Sequence, residues 1–359
     1  MTTLYTTPTH YHPTHRGDLI DLLKSFWGKG DGFSDVDRVA MYGISEQDIR
    51  FTEDIQTVDI VVLPMSWNFY RREGKLQLAK DLIAKAATAG KKVLSWTGGD
   101  FGVKVPHFDN LIVLRQSGYR SKLPAYHQGM PVFIGDPMKR FYNREEIFLR
   151  EKQDKPVIGF CGQSKGNWQK YLVDVARTSW RNTKYYTGLS PEEPQDIYPS
   201  TLRRARILDA IERDERLLAN FIKREQYRAG ANTPEERHRT TMEFYDNMVQ
   251  SDYVVCVRGG GNFSVRLYET LAMGRIPIFV NTDCLLPLSD EIDWRRHVVW
   301  VEEEEIAYVR NYILDFHSSI SDEQFKFLQS ENRKLWVEKL NLGVFYNLTL
   351  NALPFPSIH

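Results

Sequence analysis

The stretch Asp252-Tyr253-Val254-Val255-Cys256-Val257-Arg258-Gly259-Gly260-Gly261-Asn262-Phe263-Ser264 decides how the rest of the chain is read. An apolar run of strand length closes on three consecutive glycines, and Ser264 stands where a helix over 264–273 would take its cap. Residues 276–280 are a second apolar run, so the pattern is strand, glycine turn, helix, strand, a parallel unit of an α/β fold. Glycine lets the backbone approach a ligand closely and adopt positive φ, both of which a Cβ resists. The helix N-terminus adds unpaired N–H groups and a partial positive charge. Arg258 and Arg266 supply guanidinium forks that match phosphate oxygens. Arg266 and Glu269 lie three apart and share a helix face, and Glu269 is suited to accept hydrogen bonds from vicinal ribose hydroxyls. The expectation is a nucleoside diphosphate held by Arg258, Gly259, Gly260, Gly261, Asn262, Ser264, Arg266 and Glu269.

Two other readings of the same residues stay open. Glycines after a strand often make only a tight turn. Alternatively, Gly259-x-Gly261-x-x-Ser264 approaches the dinucleotide fingerprint, with Asp283 after the next strand as the ribose-binding acid. Serine at the third glycine position departs from that fingerprint, and the unit falls late in the chain.

Working outward, Val58–Leu63, Lys92–Trp96 and Leu111–Leu114 read as buried strands, with a helix over 75–89 stopped by Gly90. Residues 141–155 are charge-rich and end in Asp154-Lys155-Pro156, a linker pattern, and Val157–Gly162 opens a second α/β unit. Helical signals dominate 166–250, with an Arg-rich stretch over Thr201–Arg224. Glu302–Glu305 read as a first-turn acidic cluster complementing a helix dipole. The expected organisation is two Rossmann-like domains facing a cleft, 1–150 and 151–320, with 321–359 as a helix and tail returning to the first domain.

The 359 residues carry 47 Lys plus Arg against 47 Asp plus Glu, so no basic surplus points to a nucleic-acid partner. No stretch approaches the length of a membrane span, and the N-terminus lacks the basic and apolar regions of a signal peptide. Cys161, Cys256 and Cys284 are odd in number and far apart, which excludes a disulfide framework and implies buried thiols in a cytoplasmic setting. His10, His12 and His15 lie in a Thr- and Pro-rich segment without a carboxylate or cysteine framework, and no metal site is assigned to them.

Further residues carry a resemblance. Ser251-Asp252-Tyr253, Cys256-Val257-Arg258-Gly259 and Asn262 to Glu269 are followed by Gly274-Arg275-Ile276-Pro277, Asp283, Leu286-Pro287 and Ile292-Asp293-Trp294. In that order they resemble the exostosin family of glycosyltransferases, strongly over Ser251–Val301. The N-terminal half resembles it weakly, through Asp59–Pro64 and the Gly99-Asp100 turn. Val257 stands where relatives often have proline. The resemblance implies a GT-B fold in a soluble, bacterial-type member. It also implies inverting sugar transfer from a nucleotide-sugar to a glycan-type hydroxyl acceptor, with Ser264, Arg266 and Glu269 on the donor side. The donor is expected to be UDP-linked, with no further cofactor.

No Asp-x-Asp pair follows a strand, so metal-independent transfer is the expectation, the departing diphosphate being neutralised by the helix terminus and arginines. Lys165 is a candidate to add a charge from the loop after Gly162. Asp100, at a strand end in the first domain, is the candidate base, ahead of His127. The alternatives are an NAD(P)-dependent oxidoreductase and a non-catalytic nucleotide- or glycan-binding protein of the same fold.

Overall fold

The computed structural model describes residues 1–164 and 168–352. Eleven strands form two all-parallel sheets among these residues. The first contains β1 (Thr2–Tyr5), β2 (Ile49–Phe51), β3 (Ile60–Val62), β4 (Val93–Thr97), β5 (Leu111–Arg115) and β6 (His127–Gly129), in the order β2-β1-β3-β4-β5-β6. The second contains β7 (Val157–Gln163), β8 (Leu218–Arg224), β9 (Tyr253–Cys256), β10 (Ile276–Asn281) and β11 (Val299–Glu302), in the order β11-β10-β9-β7-β8. Parallel strands are covered on both faces, which is why β3, β4, β5 and β9 are buried along their whole length. The α/β class and the two-domain arrangement read from the sequence are therefore present.

Each sheet has its own core, one built around Leu4, Val61, Leu94 and Val113, the other around Ile158, Val255, Ile278 and Val301. Phe133 still packs against the first core, and Met138 already packs against Val254 and Cys256 of the second. The charge-rich 141–155 segment runs along the second domain, with Arg150 Nε donating to the buried Asp252 carboxylate at 2.6 Å. Helix Asp322–Leu335 stays with the second domain through Phe325. Helix Leu342–Ala352 returns to the first, placing Phe345, Tyr346 and Leu350 in its core.

One sequence expectation is corrected in the Arg-rich stretch. The helix ends at Glu212, and Leu218–Arg224 is the edge strand β8. Asp214 makes the break: its carboxylate accepts from the Arg216 backbone N–H at 3.1 Å and from the Arg216 guanidinium, turning the chain out of the helix. The acids from Glu302 at the end of β11 onward serve side-chain partners rather than a first turn alone. Glu302 accepts from Asn281, Trp300 and Arg295, and Glu305 accepts from Tyr312. Among the described residues no helix is long and apolar enough to cross a membrane.

Candidate functional site at the carboxyl edge of the second sheet

In an open parallel sheet a ligand crevice opens beyond the strand ends where neighbouring strands run their crossovers to opposite sides. In the second sheet that place lies between β7 and β9, since β7 has β8 on one side and β9 on the other. Three side chains converge there. Arg266, from helix Val265–Ala272, donates to the carbonyls of Cys161 (2.9 Å) and Val255 (3.4 Å), bridging the ends of the two strands. Arg204, from helix Ser200–Glu212, donates to the carbonyls of Gln163 (2.6 Å) and Arg258 (3.4 Å). The Phe160 ring lies beneath both, 4.4 Å from the Arg266 guanidinium carbon and 5.8 Å from that of Arg204.

These cations are poorly satisfied. The Nε atoms of Arg204, Arg266 and Arg224 are buried without a hydrogen-bond partner, as are Ser164 Oγ and Tyr198 OH. Buried polar groups are normally paired with protein, water or ligand, so such a set gathered at one sheet edge marks a candidate site. Burial, followed by repulsion from Arg266, pushes the Arg204 guanidinium down to about 10, and burial also lowers Arg266. Arg204 remains charged at neutral pH. Gly162 is needed beside them, because a Cβ there would stand 2.8 Å from an Arg266 Nη.

The glycine turn does a different job from the one its composition suggested. None of Gly259, Gly260 or Gly261 has positive φ, so left-handed backbone is not the reason for them. A Cβ on Gly261 would lie 2.3 Å from the Asp100 carbonyl oxygen, whereas one on Gly259 would meet nothing within 4 Å. Gly261 thus permits the loops of the two domains to touch, and Gly259 leaves open space. Ser264 is the helix N-cap, yet its side chain makes no capping bond, correcting that expectation.

Arg258 and Asn262 are committed to the domain interface. Arg258 donates to Tyr119 OH at 3.0 Å and to the Gly261 and Gly260 carbonyls at 3.2 and 3.3 Å. The Asn262 backbone N–H donates to Ser117 Oγ at 2.9 Å, and its buried side chain bonds the carbonyls of Gly118 and Thr282. Asp283, the acid of the dinucleotide reading, accepts from the Ser121 N–H and hydroxyl across the same interface. Glu269 is half-buried on the Arg266 helix, and its charge acts on Arg266. Lys165 lies outside the described residues.

Asp100 is exposed beyond the end of β4 and faces the turn, its Oδ2 lying 3.4 Å from the Cβ position of Gly260. His127 is buried beside Arg115, which in turn makes a two-pronged ion pair with Glu193. Burial and the Arg115 charge push His127 down to about 3. His10 bonds Tyr70 OH, His12 bonds Thr14 and His15 meets Arg72. All three cysteines are free and buried. The residues that sequence reasoning missed are Arg204, Tyr198, Ser164 and Arg224. For Arg204 and Arg224 the signal is an arginine-rich run, which cannot tell a buried guanidinium from a solvated one, and Tyr198 and Ser164 lie outside it.

Residues 142–315 match the Exostosin GT47 domain. The probable beta-1,4-xylosyltransferase IRX10L of Arabidopsis thaliana is 26% identical over 119 residues, covering 32% of this chain and 28% of the relative. The probable glucuronosyltransferase Os01g0926600 of Oryza sativa subsp. japonica is 33% identical over 113 residues, covering 31% and 27%. The matched stretch thus spans under a third of each of these relatives. Among solved structures, a glycosyltransferase from Rickettsia africae ESF-5 aligns over 98% of this chain and 99% of its own at 12% identity, with a TM-score of 0.37.

Proposed function

We propose, from the premise that residues 142–315 form an exostosin GT47 domain, that this chain is a glycosyltransferase whose donor diphosphate binds at Arg204 and Arg266. The observation that carries this reading is the pair of buried guanidinium groups with unpartnered N–H at the switch point of the second sheet. Two cations bonded to backbone carbonyls complement the two charges of a nucleotide-sugar diphosphate, and Ser164 Oγ and Tyr198 OH add hydrogen-bonding capacity. Gly259 leaves room for the ligand beside the helix N-terminus, and Glu269 takes the ribose hydroxyls.

The acceptor hydroxyl attacks the anomeric carbon from the first-domain side and gives its proton to the Asp100 carboxylate. The bond from that carbon to the diphosphate oxygen breaks with inversion. The negative charge that grows on the diphosphate is met by arginines already in place, so no metal ion is required. Preorganised donors of this kind are worth ~100- to 1,000-fold in rate each. The donor is UDP-linked and the acceptor a glycan-type hydroxyl. Three buried free thiols suit a reducing, cytoplasmic compartment.

The test is thermal stabilisation by UDP, GDP, CMP, ADP and NADH, with and without EDTA. Saturating one site a hundredfold stabilises by ~2.7 kcal/mol. A shift with UDP that EDTA leaves unchanged supports the donor site, and one with NADH alone replaces the reading by an oxidoreductase. Transfer lost in Asp100→Asn with UDP binding kept supports the base. Binding without turnover across a donor and acceptor panel makes the chain a non-catalytic binder.

A further inference from the structure

Helix Trp168–Tyr186 carries an apolar stripe on the outside. In a helix that packs on a domain, the apolar stripe faces the core. Here Trp168, Leu172 and Trp180 are 67%, 50% and 60% exposed, with Val173 and Ala176 exposed between them. Residues 168, 172, 176 and 180 follow at i, i+4 spacing, so they form one stripe, which Val173 widens. Tyr186 and Leu189, both highly exposed, extend the apolar surface past the helix end. The inward side combines half-buried Tyr171, Val175 and Tyr185 with polar links. Asn182 exchanges two hydrogen bonds with the Gln195 backbone, and the Arg181 guanidinium lies 3.7 Å from the Phe101 ring centre in the first domain.

The charges along this helix are equally one-sided. Lys170, Arg177, Arg181 and Lys184 stand against a single acid within the helix, Asp174, and Arg181 is paired beyond it, with Glu192 at 3.6 Å. Arg177 is exposed, and the Lys184 ammonium sits 5.2 Å from the Trp180 ring centre. Arg177 and Lys184 fall at one margin of the apolar stripe, at ~100° per residue around the helix. Exposed tryptophan and aliphatic side chains bordered by cations match the boundary between acyl chains and anionic headgroups, where indoles settle and basic side chains reach phosphate. A protein partner of ordinary composition would be expected to present acids and apolar groups in a fixed pattern, whereas a bilayer needs only this gradient from apolar to cationic.

We infer that helix Trp168–Tyr186, with Tyr186 and Leu189, is a peripheral docking surface for a membrane bearing anionic lipids. It lies parallel to the bilayer plane and inserts its indoles at headgroup level. The surface is separate from the arginines at the sheet edge, so the inference stands whether or not the chain transfers sugars.

The test is co-sedimentation of the full chain with phosphatidylcholine–phosphatidylglycerol vesicles and with pure phosphatidylcholine vesicles, at low and high salt. Binding is expected to the anionic vesicles, weakened by salt, reduced at least ~tenfold in Trp168→Glu/Trp180→Glu and more modestly in Arg177→Gln/Lys184→Gln. Trp168, Arg177 and Trp180 are exposed and Lys184 is half-buried, and an unchanged unfolding midpoint in each variant shows that folding is intact. Absence of vesicle binding at low salt, or equal binding by the Trp168→Glu/Trp180→Glu variant, overturns the inference. A concentration-dependent dimer that this variant disperses, without vesicle binding, overturns it in favour of contact between copies.

Discussion

The two sheets share one topology and differ in what fills the same place. In each, the first strand of the domain lies between the second and the third, so both have a crevice beyond the carboxyl ends of the first and third strands. In the first domain that crevice, beyond β1 and β3, is closed by the protein's own chain. Ile20 N–H donates to the Pro64 carbonyl at 2.8 Å, Leu19 bridges Met65, and Leu19, Ile20, Leu22 and Leu23 are fully buried. In the second domain the crevice beyond β7 and β9 is lined by Arg204 and Arg266, whose buried Nε–H groups lack partners. The same backbone geometry therefore makes a core in one half and a charged site in the other. Function follows the side chains at the switch point, not the strand order that creates it.

Substitutions at the two crevices should separate these roles. Leu23→Ala removes a fully buried side chain from the closed crevice and is expected to cost about 2–5 kcal/mol of stability. The nucleotide-induced shift in unfolding midpoint should survive in the folded fraction. Arg266→Met is expected to do the reverse, removing that shift and lowering transfer ~100- to 1,000-fold. The unliganded protein should be no less stable, since the change removes a buried cation that repels Arg204. Chemical denaturation and a UDP titration of both variants decide the matter. If Arg266→Met destabilises the free protein as Leu23→Ala does, both crevices are structural and the contrast is gone.

The second domain was legible because its signals are local. The apolar run 253–256, the glycine turn and the helix behind it stand next to one another in sequence. The strands β1, β2 and β6 are only three or four residues long and give no period to read. Strand β8 was hidden by the arginine-rich helix before it. The site divided in the same way. Arg266 was visible because it sits on the turn's own helix, while Arg204, Tyr198 and Ser164 reach the crevice from elements far apart in the chain. Nor does sequence reveal that Arg258 and Asn262 spend their hydrogen bonds on Tyr119, Ser117 and Gly118. Those partners lie in the other domain, about 140 residues away.

The glycine turn joins the two halves, and its members should respond unequally. Gly261→Ala drives a Cβ against the Asp100 backbone, which cannot rotate aside as a side chain can. Overpacking of this kind typically costs ~1–3 kcal/mol, here by prising the domains apart. Gly259→Ala meets open space and is expected to leave the unfolding midpoint unchanged while weakening nucleoside diphosphate binding. Equal loss of stability in both variants would show that the turn is a structural hinge pin rather than half interface and half ligand cradle.

A pH-dependent effect lies in the first domain, at its own buried arginine. Arg115 differs from Arg204 and Arg266 in being paired with Glu193, and its charge with burial holds His127 at about 3. The unfolded chain titrates this histidine near its ordinary 6.5. Between these values the unfolded state binds the extra proton, so stability falls as pH falls. The contribution is complete above pH 6.5 and is lost progressively towards pH 3, at up to ~1.4 kcal/mol per pH unit for one group. Burial also lowers His10 and His317, which act in the same direction. His127→Gln should therefore flatten the fall in stability between pH 6.5 and 4.5, measured by urea unfolding at each pH, without abolishing it. Nucleoside diphosphate affinity near pH 7 should not change, because His127 contacts the paired arginine and not the unpaired ones. A slope identical to that of the parent would mean that His127 keeps its proton in the folded state, and that Arg115 and Glu193 together behave as a neutral unit beside it.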